Sequence, residues 1–248
     1  MPPILGRLYS IAYTGLNARQ TELNTIANNL ANLNTTAFEE QRVTFQAAFG
    51  QTQTVERLGV ALGSSGPSFS QGPIATTGQT WDLAIDGSGF FQVGLPNGVT
   101  GYTRTGTLHV DPNGHLANQD GFLVQPQITV PAETSNVSVD ANGNITATVN
   151  GQPELLGQLQ LASFPNPDGL LDQGNGIYLP SADSGAAVTG VPNANGMGQI
   201  LGGALEGSNV NASEQMINML QTQRAYSLTL RALQLSDQMA SITNQLKA

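Results

Sequence analysis

At 248 residues and 39% hydrophobic composition the chain can bury a substantial core as one large domain or two small ones, which excludes a disordered protein. Charged residues are only 10% of the chain, the net charge is −9 and Lys247 is the single lysine, which argues against nucleic-acid binding, a function that needs clustered Lys and Arg. There is no cysteine, so disulfides and thiolate metal sites are excluded; no apolar run reaches membrane-spanning length, and the start lacks the basic-then-apolar pattern of a cleaved signal peptide.

In chain order, the first predicted element is a helix. Leu5, Leu8, Ala12, Leu16, Leu23, Ile26, Leu30 and Leu33 recur at spacings of three and four, and Arg19 is the one charged residue in the series. Asn34-Thr35-Thr36-Ala37-Phe38 reads as its stop. Residues 39–49, with Val43, Phe45 and Phe49, form a short extended element, and the Gly/Ser/Thr/Gln-rich stretch Gly50 to Gly78 is a linker or a long β-arm rather than a core.

From Trp81 onward short β-type runs alternate with turns. Predicted strands cover 82–85, 90–93, 102–104, 108–110, 122–124, 128–130, 137–139, 145–149, 155–164 and, as the last, 174–179. Asn97-Gly98, Asn113-Gly114, Asp120-Gly121, Asn142-Gly143 and Asn150-Gly151 supply the positive φ that tight hairpins need. The middle is therefore an antiparallel all-β domain, and the Pro/Gly/Asn-rich stretch Pro180 to Gly203 reads as a connection out of it.

The final helix runs from Ser213 to Leu246 without Gly or Pro, with Ser208, Asn209, Asn211 and Ser213 as candidate caps. Ala225, Leu228, Ala232, Leu235, Met239, Ile242 and Leu246 form a heptad seam. Met216, Met219, Gln223, Tyr226, Leu230 and Leu233 form a second series that, at about 100° per residue, projects to the opposite side. Such a helix needs neighbours on both sides. The first helix is its natural partner on one; the other is left for the middle domain or for further copies of the chain. Between the apolar positions lie mainly Asn, Gln, Ser and Thr, which suit contact between identical copies because like charges there would repel.

Groups for catalysis are scarce. His109 and His115 flank the turn Asp111-Pro112-Asn113-Gly114, where exposed hairpin histidines are a better reading than a metal site. Asp82 and Asp86 near Gly87-Ser88-Gly89 mark a turn, since a phosphate loop would need a helix start and a lysine. Trp81 reads as a core anchor. No cofactor is implied and no enzyme is expected.

The segment Ala27-Asn28-Asn29-Leu30-Ala31-Asn32-Leu33-Asn34-Thr35-Thr36-Ala37-Phe38 resembles the N-terminal signature of the bacterial flagellar rod and hook proteins. Thr14-Gly15-Leu16, Asp86-Gly87-Ser88-Gly89-Phe90-Phe91-Gln92-Val93, Tyr102-Thr103-Arg104-Thr105-Gly106, Ser208-Asn209-Val210-Asn211 and Gln223-Arg224-Ala225-Tyr226 resemble the same family in the right order. Length and the run Gly121 to Ala132 look most like its distal-rod members, while a short segment from Phe49 to Gly63 keeps proximal-rod members open. Glu39 and Glu40 stand where the family usually has a basic residue after the signature phenylalanine.

The resemblance implies an α+β fold in which the two terminal helices pair as a coiled coil (1–36 and 208–248), an extended β linker (37–80 and 196–207) follows, and an all-β domain (81–195) lies outside. It implies a self-assembling subunit of a hollow helical tube that carries motor torque to the hook and forms part of the export channel. It would lie in the envelope-spanning basal body, exported without a cleaved signal, with copies of itself, other rod proteins, the hook protein and ring or bushing proteins as partners and no membrane insertion. Leu16, Leu23, Ile26, Asn28, Asn29, Leu30, Asn32, Phe38, Arg224, Tyr226, Leu228, Leu235, Met239 and Ile242 are the expected assembly contacts. From the residues alone, a soluble β-domain binding module with dimerising helices is the alternative.

Overall fold

The structure, a computed structural model, describes residues 3–49 and 58–245; Leu246 and the beginning of the Gly50–Gly78 stretch, residues 50–57, lie outside the described residues. It is α+β, with a helix at each end and a largely antiparallel β middle. Two compact units divide the chain: Met1–Leu33, Gln41–Ser65 and Val210–Ala248 make the first, and Asn34–Glu40 with Gly66–Asn209 the second.

In the first unit α1 (Pro3–Ala31) packs against α2 (Ala212–Gln245), and β1 (Glu40–Phe49) pairs with β2 (Leu58–Ser68). The 29 residues of α1 contain two glycines, Gly6 and Gly15. The helix ends as the amide of Asn32 reaches Asn28 O at 3.1 Å and that of Leu33 tightens onto Leu30 O at 3.4 Å. Asn211 caps α2: its Oδ1 accepts the amides of Ser213 and Glu214 at 3.0 and 3.3 Å, satisfying two donors that have no intrahelical partner.

The second unit contains β3 (Ile74–Thr76), β4 (Leu83–Asp86), β5 (Phe90–Gly94), β6 (Thr100–Thr103), β7 (Leu108–Val110), β8 (Leu116–Asn118), β9 (Leu123–Gln125), β10 (Thr134–Val139), β11 (Asn144–Val149) and β12 (Gln152–Gln158). They are followed by β13 (Leu161–Ser163), β14 (Leu171–Asp172), β15 (Ile177–Leu179), β16 (Val188–Gly190), β17 (Gln199–Gly202) and β18 (Ala204–Glu206). Among the described residues, β14-β15-β6-β5-β9-β8-β7 form the spine of the largest sheet, with β13 pairing β5 and β16. A meander of β10-β11-β12 and the pairs β17-β4 and β18-β3 complete the unit.

Strand alternation sorts neighbouring residues into two cores. Phe91 and Leu161 enter the larger, with Leu83, Ile85, Leu116, Ile145, Leu159 and Ile200. Their chain neighbours Phe90 and Ala162 enter the smaller, with Tyr102, Phe164 and Tyr178. The smaller core is an aromatic stack of edge-to-face contacts, Phe69 on Phe90 at 5.0 Å and Tyr102 on Phe164 at 4.8 Å between ring centres. The five predicted turn glycines at 98, 114, 121, 143 and 151 all have φ between +77° and +86°.

Several expectations need correction. The predicted strand 155–164 is two strands, because the chain leaves one sheet after β12 and enters another at β13. Residues 128–130 form only an isolated bridge, Thr129 to His115, with Ile128 and Val130 buried beside it. The strand at 174–179 is not the last: the stretch read as a connection, 180–203, contains β16 and β17, and β18 follows, built from Gly-rich pieces too short to show a period-two pattern. Trp81 is half-buried at the edge of the larger core rather than inside it.

The Tyr-Thr-Arg-Thr-Gly motif ends at Gly106 for a steric reason. Its carbonyl accepts the Leu83 amide at 2.9 Å, and a Cβ there would stand 1.6 Å from Leu83 O. Gly106→Ala should therefore destabilise the β unit by about 2–3 kcal/mol in urea denaturation. Gly15→Ala, at a helical site with nothing within 4 Å of the added methyl, should gain about 0.5–1 kcal/mol.

Candidate functional site

Two sets of residues carry the features expected of a functional surface, one in each unit. On α2 the half-buried positions Met219, Tyr226, Thr229 and Leu233, with buried Thr222, run along one side. The opposite side carries Ile217, Leu228, Leu235 and Ile242 at 55%, 64%, 60% and 56% exposure, with Met239 also exposed. It is thus the heptad seam that is open to solvent in the single chain, whereas Met219, Tyr226 and Leu233 of the second series are half-buried and its Met216 and Leu230 are exposed. Exposed Arg224 and Arg231 border the seam and line a shallow groove with Leu220, Gln223, Ser227 and Leu228.

The remaining expected contacts divide by burial. Leu16, Leu23, Leu30, Asn32, Phe38 and Tyr226 are half-buried, Ile26 and Asn29 are buried, and Asn28 and Arg224 are exposed. Asn29 explains part of the signature in which it sits. Its Nδ2 donates to Gln41 O at 2.9 Å and its Oδ1 accepts the Gln41 amide at 2.9 Å, so one side chain presents both groups of a peptide bond to the start of β1. Gln215 Oε1 lies 3.5 Å from the same Nδ2. Asn28 and Asn32 make a local pair on α1, through Asn32 Nδ2 to Asn28 O and Oδ1 at 3.0 Å each.

In the β unit the segment 34–40 lies against the end of β18. Ala37, with φ +52°, donates its amide to Glu206 O at 2.8 Å, and Phe38 O accepts the Asn209 amide at 3.3 Å. Asn209 Oδ1 accepts the Glu40 amide at 2.7 Å. Beneath this backbone lie three buried charged side chains: Glu39, Glu206 and Arg104. Arg104 Nη1 donates to Gly87 O at 2.9 Å, stands 3.6 Å from Glu206 Oε2, and its guanidinium lies 5.5 Å over the Phe90 ring. Glu206 Oε1 accepts from Gln71 Nε2 and the Gly72 amide at 2.9 and 3.0 Å.

Burial pushes the Glu39 carboxyl up to about 8, against the pull of Arg104; Glu206 raises it further and the Asn209 hydrogen bond lowers it. Burial also raises the Glu206 carboxyl, with Arg104 opposing, and the Tyr178 phenol, where the charge of Glu39 adds to the effect. Sequence reasoning quoted Arg104 and Asn209 within motifs and noted Glu39 as a departure, but did not foresee that they meet, and it missed Glu206. One signal was available: Arg104 is the only Lys or Arg between Arg57 and Arg224.

The turn histidines do not converge on a site. Asp111 Oδ1 accepts the amides of Asn113 and His115 at 2.8 and 2.7 Å, and these hydrogen bonds, that from His115 foremost, hold its carboxyl below the usual range. Among the described residues no group of three His, Asp or Glu side chains could hold a metal ion, and no helix is long and apolar enough to cross a membrane.

A helix at either end around an inserted β unit, with the signature asparagine spliced into β1, defines a class. Residues 10–38 match the flagella basal body rod protein family, residues 84–147 the flagellar hook protein FlgE/F/G D1 domain, and residues 201–246 the flagellar basal body rod FlgEFG protein C-terminal family. The flagellar basal-body rod protein FlgG of Buchnera aphidicola from Acyrthosiphon pisum is 39% identical over 95% of this chain and 98% of its own. Those of Borreliella burgdorferi and Bacillus subtilis are 35% and 32% identical, each over 95% of this chain and over 97% and 96% of their own. The chain belongs to the FlgG family of flagellar basal-body rod proteins, a structural subunit of the distal rod that assembles with other basal-body components.

Replacing Asn29 with Ala leaves the amide and carbonyl of Gln41 without their side-chain partner in a buried site. The variant should lose about 1–3 kcal/mol in chemical denaturation. Asn28→Ala, at an exposed position of the same signature, should stay within about 0.5 kcal/mol of the parent.

Proposed function

We propose that the chain forms the wall of a hollow helical tube, the two terminal helices of each copy supplying the inner core as a coiled coil and the β unit facing outward. In this reading residues 1–36 and 208–248 are the tube core, 37–80 and 196–207 the linker, and 81–195 the outer domain. The observation that carries it is the open stripe on α2, where Leu228 and Leu235 are 64% and 60% exposed. Large apolar side chains repeated along one helix face cost solvation in every isolated copy, and a neighbouring copy with the same stripe removes that cost.

Contacts between unlike patches of identical subunits that do not close on themselves generate an open helical filament. The task of such a filament is mechanical: it carries torque through the cell envelope to the hook, and its lumen continues the export channel. Copies of the chain, the other rod proteins and the hook protein are its axial neighbours, and ring or bushing proteins surround its β units. This work needs stiffness and a defined bore, and it uses no cofactor and no catalytic group.

Electron microscopy of the full chain over a concentration series tests the reading. Tubes or rods should form, and a variant lacking 1–33 and 213–248 should remain monomeric. Leu228→Asp places a charge in the stripe and should abolish polymerisation while the circular dichroism of the β unit is unchanged; normal tubes from this variant would refute the stripe as the assembly contact.

A further inference from the structure

The buried group under the segment 34–40 is short of both positive charge and hydrogen-bond donors. Glu39 and Glu206 are each 3% exposed, and among the described residues the one cation acting on them is Arg104, 4% exposed. With both carboxylates ionised the site would hold one uncompensated negative charge away from water, a state proteins avoid by neutralising a group. Glu206 Oε2 stands 3.6 Å from the guanidinium and makes no hydrogen bond, so the ion pair compensates that charge only in part.

Asn209 Nδ2 donates to Glu39 Oε2 at 2.5 Å, but its two hydrogens are shared with Ser68 O at 2.7 Å and Ser70 O at 2.8 Å, so this donor offsets a buried charge on Glu39 only in part. The other titratable groups facing the site add no positive charge: the Tyr178 phenol is kept neutral by burial, and Asp172, which acts on that phenol, is acidic.

We propose that the segment 34–40 is seated on the β unit by a proton-operated clasp, in which Glu39 enters as the neutral acid and the clasp tightens as the solution is acidified.

The sign follows from proton counting. The seated carboxyl titrates near 8 and an unseated one near its ordinary 4.5, so between those values the seated form holds the additional proton. Seating is strongest below about pH 4.5, weakens by roughly tenfold per pH unit up to about pH 8, and is constant above that. Glu206, also raised, contributes in the same direction.

Hydrogen exchange of the full chain from pH 5 to pH 9, corrected for intrinsic exchange rates, reads this directly at the amides of Ala37 and Glu40. Their protection should fall on the order of a thousandfold between pH 5 and pH 8 and then level off, and Glu39→Gln should flatten the slope to the part that Glu206 carries. Protection that is independent of pH in the parent chain, a measurement that needs no variant to fold, overturns the proposal. So does a Glu39→Gln variant that keeps the parental slope.

Discussion

The β unit depends on pairings between residues far apart in the chain. β3 and β4 near its beginning find their partners in β18 and β17 at its end, with Ile85 opposite Ile200 and Ala75 opposite Leu205. Leu83, Ala84 and Ile85 are fully buried, so β4 without β17 would leave core backbone unpaired, at a cost no local contact offsets. Closing so long a loop is expensive only once, since the entropic cost grows slowly with length. Everything between 86 and 199 can therefore vary in detail while the closure at the base stays the same. The hydrogen bonds that Asn209 makes to Phe38, Glu40 and the serines extend that closure by one more layer.

In α2 the balance is different. Its half-buried stripe is satisfied within the first unit, and its exposed stripe has leucine and isoleucine where a monomeric protein would place lysine and glutamate. In the proposed tube, neighbouring copies would cover this stripe. The charge distribution matches that division: thirteen of the seventeen acidic residues fall in the second unit, whereas seven of the eight Lys and Arg residues fall in the first. Copies that meet through their helices bring the less acidic part of the chain together.

The sequence showed most where local chemistry decides structure. Helical spacing located both helices, each Asn-Gly or Asp-Gly step marked a turn, and the two apolar series on α2 foretold one covered and one open face. It was silent where structure is decided by distant partners. β17 and β18 come from Gly-Gly and short apolar pieces whose strand character exists only against β4 and β3, and nothing local distinguishes residues 155–158 from 161–163, which belong to different sheets. The cluster of Glu39, Arg104 and Glu206 was hidden for the same reason: three charges widely separated in the chain look like solvated surface until the fold buries them together. Asn29 stood out only through the family signature, because an asparagine that substitutes for a strand is indistinguishable by composition from the many that cap or turn.

Arg104 has one further consequence. It is the only lysine or arginine in the whole of Gly66–Asn209, and it is buried with its guanidinium held by Gly87 and stacked on Phe90. A protease that cuts after lysine or arginine therefore finds no accessible bond in that stretch while it is folded. The counter-ion of Glu206 is also the latch on the only tryptic bond within 66–209, so digestion leaves that stretch as a single fragment whose survival reports the integrity of its core.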